Sequence, residues 1–250
     1  MTTIDRGEGR GEGHRYRFLL TDYDFPDADL ERGLCVEAGV ELATAQCRSE
    51  DDVIAAAEGC QGLLTQYAPI GARLFAARPE VRIVSRLGAG FDTVDTDEAR
   101  RRGVWVANSP DYGVGEVATH ALAMALALVR HLPSYDRDVR AGRWHYLSTG
   151  ELRRPSELTL GILGLGRIGK RMAALSQPVF GRIVACDPYI ADTDFAPYVE
   201  RVGPADVWRE ADLVSLHVPL TAETRAIAGA KALDAMRPGS WLVNTARGPV

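Results

Sequence analysis

Residues 158–169, Leu-Thr-Leu-Gly-Ile-Leu-Gly-Leu-Gly-Arg-Ile-Gly, constrain this chain more than any other stretch. An apolar strand runs into a glycine turn, and the turn runs into a helix. Gly164, Gly166 and Gly169 fit G-x-G-x-x-G, and each glycine has a separate task. Gly164 makes the tight turn, Gly166 leaves room for a pyrophosphate at the backbone, and Gly169 lets helix and strand pack closely. The helix start, with Arg167 and Ile168, then offers unpaired N–H groups to the phosphates. Asp187 follows 18 residues after Gly169, at the end of the next apolar strand, Arg182 to Cys186. A carboxylate there accepts from a ribose 2′-OH and repels a 2′-phosphate, which favours NAD(H) over NADP(H). A glycine turn that serves packing alone is the competing reading of these residues.

The chain has 250 residues, 46% hydrophobic and 25% charged, enough for two modest globular domains. A net charge of −5 leaves no basic footprint for nucleic acid or an anionic membrane surface. Cys35, Cys47, Cys60 and Cys186 are scattered without a C-x-x-C, so neither a metal site nor a disulfide framework is indicated. The longest apolar run, Ala121 to Val129, is far below the ~18 residues of a membrane span. Residues 1–14 read as a loose glycine-rich tail without a signal peptide, and the cytoplasm is the expected location.

Strands and helices alternate along the chain. Strands are expected at Arg17–Thr21, Val40–Ala43, Gly62–Thr65, Val81–Ser85 and Val104–Ala107. Helices are expected at Asp27–Ala38, Glu50–Ala57 (capped by Ser49), Gly71–Ala77 and Thr96–Arg102. Glu116–Leu132 reads as one long helix that ends before Pro133, and its apolar middle implies burial nearly all round. A second series places strands at Leu158–Leu163, Arg182–Cys186, Asp212–His217 and Ser240–Asn244. Tyr146–Pro155 is read as the crossing between domains. This alternation specifies parallel sheets with right-handed crossovers.

Three further strand ends carry chemistry. Ser85-Arg86-Leu87-Gly88-Ala89-Gly90 is a glycine-rich loop where the amides of Ala89 and Gly90 could cradle a carboxylate and Arg86 adds charge. His217-Val218-Pro219-Leu220 ends another strand, and Pro219 stops the backbone pairing. Asn244-Thr245-Ala246-Arg247-Gly248 ends the last one, and the planar fork of Arg247 suits a carboxylate and a neighbouring carbonyl oxygen. On local sequence, a tight turn explains the first stretch better than a site does, and a surface ion pair explains the third equally well.

Together these stretches resemble the D-isomer-specific 2-hydroxyacid dehydrogenase family from about residue 60 onward. Leu160 to Gly169, Asp187-Pro188-Tyr189 and Val243 to Gly248 match it almost letter for letter. Phe91-Asp92, Asn108 to Tyr112, Glu116-Val117-Ala118 and Val139 to Trp144 look most like the branch of the C-terminal-binding proteins and their dehydrogenase relatives. The resemblance implies two Rossmann-like, doubly wound parallel-sheet α/β domains with the active site in the cleft between them. Residues 15–115 would bind substrate and residues 116–250 would bind NAD. It makes Arg247 the catalytic arginine and sets Arg86, Ala89 and Gly90 at the substrate carboxylate. The cofactor would contact Gly164, Leu165, Gly166, Arg167 and Ile168, then Asp187. It would also meet His217, Val218, Pro219 and Thr224, and Thr245 with Ala246.

In the family, a catalytic glutamate and histidine follow this arginine, and neither has a counterpart among residues 1–250. The expectation is therefore a chain cut short and inactive by itself. The implied activity is NAD-dependent interconversion of a D-2-hydroxy acid and its 2-keto acid, in a homodimer. The alternative is an NAD(H)-sensing, non-catalytic scaffold like the corepressors of the same branch.

Overall fold

The structure, a computed structural model, describes residues 16–250. The expected tail at 1–14 lies outside the described residues. The chain divides into two compact units, Met1–Tyr112 and Gly113–Val250, and the segment Tyr146–Pro155 falls inside the second.

The first unit alternates five strands with four helices: β1 (Tyr16–Leu20), α1 (Asp29–Glu37), β2 (Val40–Thr44), α2 (Glu50–Ala56), β3 (Gly62–Thr65), α3 (Ala72–Ala77), β4 (Ile83–Arg86), α4 (Thr96–Arg101) and β5 (Trp105–Asn108). All strands run parallel in the order β2-β1-β3-β4-β5. The fourth strand begins two residues later than Val81 and reaches Arg86, which puts that arginine in register with Thr65 of β3. Ser49 caps α2 as its sequence suggests: its hydroxyl accepts from the Asp52 amide, and the Asp52 carboxylate accepts from the Ser49 amide in return. Leu19, Val53, Leu63, Leu74, Phe75 and Val84 form a core between the sheet and its helices.

The second unit contains α5 (Val114–Val129), α6 (Leu132–Arg140), β6 (Thr159–Leu163), α7 (Arg167–Ser176), β7 (Arg182–Cys186), β8 (Glu200–Arg201), α8 (Pro204–Glu210), β9 (Leu213–Leu216), α9 (Ala230–Ala235) and β10 (Trp241–Asn244). Its sheet is also parallel, in the order β10-β9-β6-β7-β8. The central strand β6 is buried along its whole length. Leu160 and Ile162 face the core shared with α5 and α7, while Leu163 faces the core around Val207 and Trp208 of α8. Truncating Leu160 to alanine in such a core costs about 2–5 kcal/mol.

Two expectations about the long helix are corrected. It ends at Val129, not Leu132, and Pro133 does not stop it. Arg130 closes it, His131 takes a left-handed conformation (φ 53°), and Pro133 sits in the first turn of α6. A proline is tolerated there because the first amides of a helix have no intrahelical acceptor. The helix is also not buried all round. Only Ala118, Ala121, Ala125 and Val129, one stripe at helical spacing, are buried against the unit's core, while Met124 is 36% exposed.

Candidate functional site

In the second unit, chain order reverses on either side of β6: β7 and β8 extend one way, β9 and β10 the other. In open parallel sheets, ligands bind beyond the strand ends at such a reversal. The expected cofactor residues stand at those ends, on the loops and, for Arg167 and Ile168, in the first turn of α7. Gly164 has φ +87°, and a Cβ there would lie 2.7 Å from the backbone of His217, so no other residue fits this crossing. A Cβ on Gly169 would collide with the carbonyl oxygen of Gly164. Gly166 caps α7 without a side-chain hydrogen bond, and the space above its Cα is open. The structure thus supplies close helix packing and an unobstructed helix N-terminus, the two features a pyrophosphate needs.

Asp187 ties this turn to the next strand end. Its Oδ2 accepts from the Leu165 amide at 2.9 Å and its Oδ1 from the Tyr189 amide at 3.0 Å. A carboxylate has about four acceptor positions, so both oxygens can still receive ribose hydroxyls. Arg167 is exposed at the start of α7, and Ile168 is partly buried behind it.

His217 closes the floor under Gly164. Its amide donates to the Leu163 carbonyl at 2.7 Å, and its Nε2 lies 2.9 Å from the buried Ser215 hydroxyl. Burial pushes its pKa down to about 4. Val218 packs into the core beside it, and Pro219 leads into a loop closed by Thr224, whose hydroxyl bonds the Pro219 carbonyl and the Thr221 amide. After β10, the Ala246 amide donates to Asn244 Oδ1, and Arg247 Nη1 donates to the Ala246 carbonyl, both at 2.9 Å. The Thr245 hydroxyl is buried without a hydrogen-bond partner. An orphaned hydroxyl at the carboxyl end of the same sheet as the glycine turn fits a polar ligand, and a dinucleotide suits the whole arrangement.

In the first unit, Arg86 is 9% exposed and its Nε has no hydrogen-bond partner. Its Nη1 reaches only the carbonyl of Leu87, at 3.3 Å, and among the described residues no carboxylate pairs with it. A buried cation without a counter-ion is costly unless an anion binds there. A Cβ on Gly88 would run into this guanidinium, so the glycine makes room for it. Asn108 Nδ2 donates to the Ala89 carbonyl at 2.7 Å and holds the loop that carries the Ala89 and Gly90 amides.

Reading the sequence missed a second group on this face. The buried Asp22, just past β1, accepts from the backbone amides of Gln66 (3.1 Å), Tyr67 (2.7 Å) and Ala68 (3.1 Å). It thereby fixes the loop after β3. The signal was available, since Asp22 and Asp24 follow a strand end just as His217 does.

The profile described as D-isomer specific 2-hydroxyacid dehydrogenase, NAD binding domain, matches residues 122–250. D-3-phosphoglycerate dehydrogenase of Mycobacterium tuberculosis is 36% identical over 211 residues, covering 84% of this chain and 40% of that protein. Glyoxylate reductase of Korarchaeum cryptofilum is 36% identical over 208 residues, covering 81% and 62%. The chain thus spans 40% and 62% of the length of these two curated relatives. Among solved structures, D-lactate dehydrogenase of Aquifex aeolicus complexed with NAD and lactic acid superposes with a TM-score of 0.84 at 25% identity, covering 93% of this chain and 69% of that one. The TT0316 protein of Thermus thermophilus gives 0.79 at 30%, covering 93% and 74%. With the glycine turn, Asp187 and the Arg247 strand end all in place, the chain belongs to the D-isomer-specific 2-hydroxyacid dehydrogenase family and carries its NAD-binding domain.

Proposed function

We propose that this protein is an NAD-dependent oxidoreductase that interconverts a D-2-hydroxy acid and its 2-keto acid. The observation that carries the reading is Arg86, a buried guanidinium with no carboxylate partner among the described residues. Arg86 and the amides of Ala89 and Gly90 hold the substrate carboxylate. The first unit, about residues 15–115, is then the substrate domain, and residues 116–250 are the cofactor domain. When bound, NAD supplies hydride exchange with the substrate C2. Gly164, Leu165, Gly166, Arg167 and Ile168 seat the pyrophosphate, Asp187 takes the ribose, and the 217–224 loop with Thr245 and Ala246 flanks the rest. Arg247 binds the carboxylate, polarises the keto oxygen and stabilises the charge that develops on it.

Neither arginine releases a proton at neutral pH. His217 is neutral there as well, so it has no imidazolium proton to give. The hydroxyl proton is therefore exchanged by a group other than Arg86, Arg247 and His217. Within the family we place the protein in the branch of the C-terminal-binding proteins, acting in the cytoplasm as a homodimer. The test is steady-state NADH oxidation by the natural protein with a panel of 2-keto acids. Turnover supports the dehydrogenase. Tight NADH binding with no turnover of any keto acid would favour the scaffold.

A further inference from the structure

The proposed function leaves the far end of the substrate unassigned, and the first unit offers a reader for it. Thr65 and Arg86 are direct partners across β3 and β4, so the Gln66–Ala68 loop emerges beside Arg86. Tyr67 on that loop is exposed, and its hydroxyl donates to Asp24 Oδ2 at 3.0 Å. Gln66 Nε2 donates to the other oxygen, Oδ1, at 2.6 Å, and the Asp24 amide donates back to Gln66 Oε1 at 3.0 Å. The Tyr67 phenol has its pKa raised, first by the hydrogen bond to Asp24, with the positive charge of Arg86 pulling the other way. The phenol therefore bonds the exposed carboxylate while feeling the charge of the buried cation. Beyond it opens a cleft of about 360 Å³ at the carboxyl ends of β1, β2 and β3, whose walls include Asp22, Asp24, Gln46, Arg48 and Tyr67. This is the point where strand order reverses in the first sheet, between β1 and β3.

We infer that Asp24, Gln66 and Tyr67 read the distal end of the 2-keto acid and select substrates whose tail carries no negative charge and offers a hydrogen-bond donor. The inference rests on the proposed function, because Arg86 must hold the carboxylate for the tail to run past Tyr67. Asp22 spends its oxygens on loop amides and hydroxyls, so it acts only through its charge. Asp24 has room to accept further bonds at the surface. A phosphate or second carboxylate on the tail would meet both aspartates, with Arg48 the one cation on the cleft wall. A hydroxyl or amino group would find the Asp24 carboxylate and the Tyr67 and Gln66 polar atoms ready to accept.

The test compares hydroxypyruvate with its 3-phosphate ester as substrates for the natural protein, by kcat/KM with NADH. The wild type should favour the unphosphorylated acid by at least about tenfold, the scale expected for a dianion approaching partly solvated carboxylates. Asp24→Asn, an exposed and nearly isosteric change, should raise kcat/KM for the phosphate ester and lower it for hydroxypyruvate. A merely structural loss would lower both. Tyr67→Phe should weaken only hydroxypyruvate, and NADH affinity should stay constant in both variants. A wild-type preference for the phosphate ester, or a substrate ratio unmoved by Asp24→Asn, overturns the inference and leaves the dehydrogenase reading intact. Turnover of no 2-keto acid at all overturns both.

Discussion

His217 offers a quantitative check on the second unit, because its neutrality is a statement about stability. The imidazole is largely covered at the end of β9, with Nε2 2.9 Å from Ser215, and its pKa falls from 6.5 to about 4. A base whose folded pKa is depressed contributes stability that is fully present above its unfolded pKa. That stability is lost as the pH falls toward the folded value, because the unfolded chain binds the proton first. The loss therefore begins near pH 6.5 and continues to about pH 4. At about 1.36 kcal/mol per pH unit, the gap sets a ceiling of about 3.4 kcal/mol, of which about 2 kcal/mol is gone by pH 5. The perturbation is His217→Gln, which keeps an amide near Ser215 and cannot titrate. Urea unfolding of wild type and variant at pH 7.5, 6 and 5 gives the difference in stability at each pH and cancels the carboxylates common to both. The wild-type advantage should shrink by about 2 kcal/mol between pH 7.5 and pH 5. A difference that does not change with pH, or an NMR titration of His217 centred near 6.5, would refute the reasoning.

Other perturbations test the site around it. Asp187→Ala removes the acceptor of the Leu165 and Tyr189 amides as well as the proposed ribose contact, so NADH affinity should fall by about 10–100-fold and the preference over NADPH should largely disappear, as measured by fluorescence titration. Equal affinity of the wild type for both cofactors would remove Asp187 from that role. Gly164→Ala places a Cβ at φ +87° against the His217 backbone, and unfolding should show a loss of about 1–3 kcal/mol or more, accompanied by weaker NADH binding. Asp22→Asn turns one of the two accepting oxygens into an NH2 donor and removes the charge, so hydrogen exchange at Gln66, Tyr67 and Ala68 should accelerate without change at β6.

Much of this architecture is visible in the sequence because the decisive signals are local. The Ser49 capping box, the apolar run of β6 and the glycine turn each depend on residues a few positions apart, so pattern and structure agree there. Pro133 was misleading because the same residue that ends one helix can begin another, and only the left-handed His131 between them distinguishes the two cases. β8 is two exposed polar residues, Glu200 and Arg201, that pair with β7 alone, so no hydrophobic alternation marks it. The Asp24–Gln66–Tyr67 group was hidden for a different reason. Its members are 42 and 43 positions apart and meet only because β3 pairs with β1, which places their loops side by side. Arg86 was read as a possible anion ligand from its strand end, but its lack of a counter-ion is a property of the packed unit.

The account stands or falls on Arg247. Its planar fork is assigned to the substrate carboxylate and keto oxygen, and lysine keeps the charge but not the paired geometry. The most direct measurement is kcat/KM for the best 2-keto acid with the natural protein and its Arg247→Lys variant, alongside NADH affinity. With the dinucleotide proposed to sit on the glycine turn and Asp187, kcat/KM is expected to fall by about 100-fold or more while NADH affinity is nearly unchanged. Full turnover in the variant, or a fall matched by lost NADH binding, would contradict it.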